Sequence, residues 1–511
     1  MTPDSSPGLG RRSFLGGLLA VPALGAVLAA CGDSGSSAAA GAATLKWASS
    51  YFPTHWDPVV GGSGAQFRHL SLVYASVTRV NEKGEAVPDL AESWDYNDQG
   101  DQVTFHLRKG LTFSDGTPVN ADAVKKAIER AKTQEDSALF GDLTSIDKVT
   151  ADGDLDVVVD LTQVDYQIPL LFGERVLQVA SPQAAADPKA LDQKPIGHGP
   201  FVITQLIPGT KAVLEKNPDY WDAANIHIDR VELVSAPDAS TVVSGLQTGV
   251  YNFADVAAAQ AQAAEKAGLD VFVQPGYNAS NLSLNVNKKP FDDPKVVEAV
   301  RYGIDRQEFV DKLTFGYGAV ATQPFPKEYI AYDPQSADLW PHDVEKAKAA
   351  LAESKYSGDD LTVDLVIPAE DPSSEIVQSQ LAAIGITVNI KIDKNWATPF
   401  FAKDLVASLY GTTGRDSPLQ TLTAHFGPNG PLNLSTPYEP DGFEKAVAKV
   451  RQTPLEGGDY EVNLQAATRA GLVSQALVFT YSQPSVYAKD PSISGLPAHP
   501  GHVNWTGVKI S

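Results

Sequence analysis

Thiols are almost absent: Cys31 is the only cysteine in 511 residues. Everything after it is therefore without disulfides, thiol catalysis or a Cys-ligated zinc. Positive charge is scarce as well, with 40 lysines and arginines against 62 acidic residues and a net charge of −22. A surface of that sign repels nucleic acid and anionic headgroups, which argues against a nucleic-acid partner and against penetration of a membrane. Beyond the N-terminal region no apolar run approaches the roughly 20 residues that cross a bilayer. Gly61-Gly62-Ser63-Gly64-Ala65 ends on alanine where a nucleophile elbow needs glycine. Neither a P-loop nor a dinucleotide-binding glycine fingerprint occurs. The acidic pairs Asp292-Asp293 and Asp359-Asp360 sit in turn-like surroundings and read as loop charges or helix caps. These absences favour a binding protein over an enzyme, and no cofactor or metal is expected.

What is present begins with Leu28-Ala29-Ala30-Cys31. Upstream, Arg11-Arg12 followed by Ser13-Phe14-Leu15 resembles a twin-arginine export signal, and residues 14–30 form an uncharged run. That run is rich in glycine and alanine, broken by Pro22, and too short for a membrane span. Cleavage before Cys31 would leave its thiol at a new N-terminus, the position that bacterial lipoproteins acylate. Acyl chains contribute about 0.8 kcal/mol per buried CH₂, enough to hold a soluble body at a membrane surface. Residues 1–30 are thus read as a lipoprotein signal peptide with Cys31 as the lipidation site. Residues 31–43, nearly all Gly, Ala and Ser after the cysteine, are a flexible tether.

The remaining body is too long for one core, so two or three domains are expected. Strand and helix signals alternate along it, which indicates an α/β fold. Residues 103–107 and 386–392 alternate apolar and polar side chains and read as half-buried strands. Asp293-Pro294 places an N-cap and an N1 proline before the stripe Val296, Val297, Val300, Ile304, and a second helix is expected from about Asp343 through Leu351. Residues 361–392 follow a strand, helix, strand order. The spacing of Asp95, Asn97, Gln99 and Gly100 begins like a calcium loop, but the twelfth position is His106 rather than a glutamate, so a hairpin turn is expected. His499-Pro500-Gly501-His502 lacks the helical spacing and the glutamate of a zinc protease.

Several longer runs are more specific. Pro88-Asp89-Leu90-Ala91-Glu92-Ser93-Trp94, then Phe113-Ser114-Asp115-Gly116-Thr117-Pro118-Val119, then Pro195-Ile196-Gly197-His198-Gly199-Pro200-Phe201 and Asn217-Pro218-Asp219-Tyr220-Trp221 occur in order. They are followed by Pro290-Phe291-Asp292-Asp293 and Ala299-Val300-Arg301-Tyr302-Gly303-Ile304-Asp305-Arg306. Together these resemble the family-5 solute-binding proteins of ABC importers, the peptide and nickel class, over nearly all of the chain after the tether. Gly110, Gly116, Gly197 and Gly199 are read as supplying turn conformations, Asn120 or Asp122 as a helix cap, and Arg108 and Asp115 as locally paired. Two departures stand out. His198 replaces the usual threonine, and Asn252 ends a turn that is commonly acidic.

The resemblance implies a two-lobed periplasmic-binding-protein-like fold of class II type with an extra inserted subdomain. Lobe I is expected over 44–72, 173–276 and 482–511, the inserted subdomain over 73–172, and lobe II over 277–481. It further implies capture of an oligopeptide or dipeptide between the lobes and delivery to permease subunits, the chain acting as a lipid-anchored monomer at the extracytoplasmic face of the membrane. A peptide-sensing lipoprotein, a nickel-chelate binder and a sugar binder are the alternatives on the same fold. Peptide-binding members hold the ligand's amino group with an aspartate in a segment resembling residues 411–418, which makes Asp416 the first candidate, with Arg415 beside it for a carboxylate. Trp396, Phe400, Phe401 and Tyr410 are candidates to stack on ligand. Trp47, Tyr51 and Trp56 near the start of the body, and Tyr277 and Asn278 near the presumed hinge, complete the set.

Overall fold

Two large sheets, entered by the chain in turn, organise the molecule. The structure is a computed structural model that describes residues 42–511 except 62, 63, 174, 237, 275–278, 413–416, 474–476 and 498–504. The N-terminal signal, Cys31 and the histidines of 499–502 lie outside the described residues. None of the described helices is long and apolar enough to cross a membrane.

The first sheet has seven strands, in the order Asp270–Gln274, Ser485–Lys489, Phe253–Asp255, Thr44–Ser49, Arg230–Ser235, Lys211–Lys216, Phe201–Ile207. Thr44–Ser49 runs parallel to both of its neighbours. Its Leu45 and Trp47 are fully buried against Leu233, Phe253 and Tyr487. The second sheet has six strands, in the order Ala319–Val320, Leu477–Ser482, Ala279–Leu284, Ala407–Thr412, Thr362–Ile367, Thr387–Ile392. Its edge is the expected βαβ unit: Thr362–Ile367 and Thr387–Ile392 pair in parallel across the helix Pro372–Ile384, whose carboxyl end is closed by Gly385 at φ 102°. Ahead of these strands in the chain, Asp293 caps the helix Pro294–Gly303 through Lys295 N, and Asp343 caps Val344–Ala352 through Lys346 N.

A third, four-stranded antiparallel sheet, ordered Ala91–Tyr96, Gln102–Leu107, Asp156–Leu161, Ile146–Asp152, carries the helix Ala121–Thr133 on one face. Phe105, Val124, Ile128, Val157 and Val159 are fully buried between them. Asn120 caps the helix, its side chain accepting from Ala123 N at 3.0 Å. Asp122 lies inside the first turn. The segment that begins like a calcium loop is the hairpin between the first two of these strands.

His106 stands on this sheet with Nδ1 2.7 Å from Asp156 Oδ1 and Nε2 3.2 Å from Asp95 Oδ2. The hydrogen bond to Asp156, and less so that to Asp95, raises its pKa above the ordinary histidine value. A raised folded-state pKa gives stability that is complete below the unfolded value of about 6.5 and lost as pH rises through the folded value. Replacing His106 by Gln is therefore expected to lower the melting temperature at pH 6 and to have a shrinking effect by pH 8. Equal losses at both pH values would refute this linkage.

The motif glycines divide into two kinds. Gly110 and Gly116 have φ of 80° and 82° with open space around them, as expected of turn residues. Gly197 and Gly199 do not use the left-handed region. A Cβ on Gly199 would lie 2.3 Å from Val73 C and 2.6 Å from Val73 O, and one on Gly197 would lie 2.2 Å from Val73 O. Backbone contact, rather than turn conformation, is what these two positions require. Arg108 and Asp115 are each held locally but do not meet each other. Arg108 Nε donates to Asp89 O at 2.7 Å and its guanidinium lies 4.0 Å from the Trp221 ring centroid, while Asp115 accepts from Ser181 Oγ and Thr117 Oγ1, both at 2.6 Å. His198 is fully buried with Nδ1 2.6 Å from Thr112 O, and burial lowers its pKa.

Candidate functional site

The chain leaves the first large sheet at Gln274, enters the second at Ala279, and crosses back to the first through Gln483-Pro484. Beside the second crossing is a cavity of about 370 Å³. From the first sheet it is lined by Ser50, Arg68, Asp255 and residues 256–259, from the second sheet's side by residues 313–315 and Tyr317, and along the crossing by residues 483–487. Ser50 and Asp255 are placed there by the carboxyl ends of two adjacent parallel strands, Thr44–Ser49 and Phe253–Asp255. Ligand crevices in open α/β sheets form at such ends.

Asp255 is 8% exposed and saturated with donors. It accepts from Trp47 Nε1 at 3.1 Å, Ser49 Oγ at 2.9 Å, Ser50 N at 3.0 Å and Ser50 Oγ at 3.1 Å. Arg68 Nη1 pairs with it at 3.5 Å and donates to Tyr487 OH at 3.4 Å, and Tyr487 donates in turn to Gln274 Oε1 at 3.4 Å. Burial opposes the charge on Arg68, but Tyr487, Asp255 and Tyr51 together outweigh it and raise the guanidinium pKa. Burial chiefly pushes the Tyr487 phenol up to about 12. Arg68 Nε has no hydrogen-bond partner among the described residues. Asp255 Oδ2 is thus crowded with donors while Oδ1 accepts from Trp47, and the cation keeps a spare donor, so this wall suits an anionic or acceptor group on a ligand.

A second cavity, of about 960 Å³, separates the four-stranded sheet from the second large sheet's helices. Asp142, Asp165 and Gln167 line one side, and Phe401, Ser417, Gln420, Glu444 and Arg451 the other. Two of its carboxylates are paired, Asp142 with Arg175 at 2.8 Å and Asp165 with Arg451 at 3.4 Å. Ser417 Oγ and both amide atoms of Gln420 are buried without hydrogen-bond partners among the described residues, which leaves groups to bind water or ligand in the cavity wall.

The residues named from sequence fall into three groups. Asp416, Arg415, Tyr277 and Asn278 lie outside the described residues, although Ser417, the neighbour of Asp416, lines the larger cavity. Trp396, Phe400 and Tyr410 form one cluster: Trp396 stacks on Phe400 with centroids 4.5 Å apart, and Phe400 meets Tyr410 edge-on at 5.0 Å. Their polar ends are satisfied inside the protein, Trp396 Nε1 donating to Ser408 Oγ at 2.6 Å and Tyr410 OH to Leu432 O at 3.1 Å. Phe401, 53% exposed, is the member of this group that lines a cavity. Trp47 and Trp56 belong to the core of the first sheet. Trp56 is 2% exposed with its carbonyl accepting from Tyr74 OH at 2.8 Å. Tyr51 is half-buried, 6.1 Å from the His69 ring.

Arg68 and Asp255 were not picked out from sequence. The signal available was isolation: each is the only Asp, Glu, Lys or Arg in a long apolar and small-residue stretch, and a lone charge in such a setting is buried and paired more often than solvated. Asn252, noted as a departure, clips the same strand. Its Oδ1 accepts from Lys46 N at 2.7 Å and its Nδ2 donates to Thr44 O at 2.8 Å, the second of which a carboxylate could not do.

Comparison with known proteins agrees with this architecture. Residues 85–433 match the model of the bacterial extracellular solute-binding proteins, family 5 middle. Di/tripeptide-binding protein 3 of Pseudomonas aeruginosa is 28% identical over 426 residues, covering 74% of this chain and 78% of its own. Heme-binding protein A of Haemophilus influenzae is 28% identical over 444 residues, covering 76% and 79%. Among solved structures, the ABC transporter-associated periplasmic binding protein DppA from Helicobacter pylori, in complex with the peptide STSA, superposes with a TM-score of 0.79 at 22% identity, over 91% of this chain and 98% of its own.

Proposed function

The chain belongs to the bacterial extracellular solute-binding proteins of family 5, and from that premise we propose that it captures a short peptide between its two sheets and delivers it to the permease of an ABC importer. The observation that carries this reading is the cavity beside the interlobe crossing, with a charged, half-buried and incompletely satisfied Arg68 in its wall. At about 370 Å³ it falls in the range of small-ligand pockets, roughly 300–1,000 Å³. Arg68 takes the ligand's carboxylate. Asp416, one residue before Ser417, takes its amino group, with Arg415 adjacent. Lobe I comprises 44–72, 173–276 and 482–511, lobe II 277–481, and the inserted subdomain 73–172, the crossings acting as the hinge on which the lobes close over ligand. Lipid on Cys31 keeps the protein beside its permease, and a Cys31→Ser chain should leave the membrane fraction.

Native mass spectrometry of freshly purified protein, followed by calorimetric titration of di- and tripeptides, tests this. A free peptide should bind and raise the melting temperature by mass action. Arg68→Gln should weaken binding roughly tenfold to a hundredfold, the worth of a charge-assisted hydrogen bond. C-terminal amidation of the peptide should cost the native protein a similar factor and the variant little. Peptides that give no thermal shift would sink the function, and amidated peptides that bind the native protein undiminished would remove Arg68 from it.

A further inference from the structure

We propose that Arg301, Arg306 and Trp340 hold a buried halide ion inside the lobe built on the second sheet. Arg301 lies near the end of the helix Pro294–Gly303 and Arg306 opens the helix Arg306–Leu313. They are 4% and 8% exposed, and neither has a salt-bridge partner among the described residues. Arg306 is satisfied by carbonyls, its Nε donating to Phe479 O at 2.8 Å and its Nη1 to Trp340 O at 2.9 Å. Arg301 is not: its Nε and Nη2 are buried with no hydrogen-bond partner among the described residues. Its guanidinium lies 4.7 Å from the centroid of the Trp340 ring, whose Nε1 is also buried with no partner.

All three side chains line one small cavity of about 10 Å³. Apart from Thr322 the other lining residues are apolar, and no carboxylate is among them. Arginine and the indole nitrogen are donors only. Three unmet donors and two positive charges therefore face a space that offers one hydroxyl as a side-chain acceptor. Leaving a buried cation uncompensated costs several kcal/mol. The space is about the size of one water, but a water brings no charge and has two protons of its own to place. A monatomic anion answers both the donors and the charge. The other features agree: burial pushes both guanidinium pKa values down to about 10, with the Arg306 charge adding to the effect at Arg301, where the Tyr438 phenol opposes it, and no carboxylate does. Trp340 is held at φ 58°, in the left-handed region, a conformation that persists where the surroundings fix it.

The test uses the full chain, as exported and purified. Bromide-soaked crystals should show an anomalous peak within about 3.5 Å of Arg301 Nε and Trp340 Nε1, ordinary donor distance with allowance for a large ion. In solution at constant ionic strength, the melting temperature should be higher in chloride or bromide than in gluconate, and Arg301→Met should abolish that difference. Absence of the peak in crystals soaked with bromide overturns the proposal in favour of a water or an empty cavity. A halide effect that survives Arg301→Met places the ion elsewhere and overturns it equally. Should Arg301→Met fail to fold, the anomalous map of the native protein decides alone.

Discussion

Asp255→Ala is expected to destabilise the protein by about 3–5 kcal/mol, the cost of leaving a buried charge without its partner, and to abolish ligand binding with it. The size follows from what the carboxylate holds. Removing it strands Arg68 as an unopposed cation, leaves the Trp47 indole nitrogen and the Ser50 amide and hydroxyl without this acceptor, and leaves Ser49 Oγ with His69 Nε2 at 3.0 Å. Asp255→Asn should fall between, because an amide keeps one acceptor oxygen but turns an NH₂ toward groups that are themselves donors. Arg68→Met in the Asp255→Ala background should recover part of the loss, since the stranded charge is then gone. Urea titration of the four proteins measures all of this. A loss below about 1 kcal/mol for Asp255→Ala, the level of an exposed ion pair, would mean that solvent reaches the network and that the cavity wall is not preorganised.

Gly199→Ala should be the other large effect, about 3 kcal/mol at the upper end of overpacking costs. The methyl group would have to displace the backbone of Val73 and the amide nitrogen of Tyr74, 2.7 Å away. These cannot rotate aside as a side-chain tip could. The same approach is locked by Gly199 N donating to Val73 O at 2.7 Å and Phe201 N to Leu72 O at 2.9 Å. Gly110→Ala is the control: nothing stands within 4 Å, so only the left-handed conformation is penalised, by roughly 1–2 kcal/mol. If the two substitutions cost the same in chemical denaturation, the close-contact account of Gly199 is wrong.

That contrast shows what the sequence made legible. Local signals read well where the physics is local: the Asp293-Pro294 and Asp343 caps, and the strand–helix–strand order of 361–392, each depend on residues a few positions apart. The two-lobed α/β architecture followed from motif order, which is itself a record of a whole fold. Gly197 and Gly199 looked like Gly110 and Gly116 because the feature that separates them, the proximity of Val73, is a contact across more than a hundred residues of chain. Arg68 and Asp255 escaped for the same reason. The first is brought to the second by a sheet whose neighbours in space come from both ends of the body. The aromatic cluster of Trp396, Phe400 and Tyr410 was read as spacing alone, whereas its polar atoms are met by Ser408 and Leu432, partners that no periodicity predicts.

The strand order of the first sheet bears on how the protein is made. Ser485–Lys489 is inserted between Phe253–Asp255 and Asp270–Gln274, so a nascent chain emerging N-terminus first cannot complete that sheet until almost all of it has been synthesised. The second sheet also waits for a late strand, Leu477–Ser482, seated between Ala319–Val320 and Ala279–Leu284, but all six of its strands come from one continuous stretch of chain, residues 279–482. One lobe can therefore mature as a self-contained loop while the other waits for its final strand. Tyr487, which touches Arg68 from 419 residues away, arrives with that strand. The wall of that cavity is consequently among the last parts of the molecule to be completed, and a chain interrupted before Ser485 would lack Tyr487 and the rest of the strand that lines it.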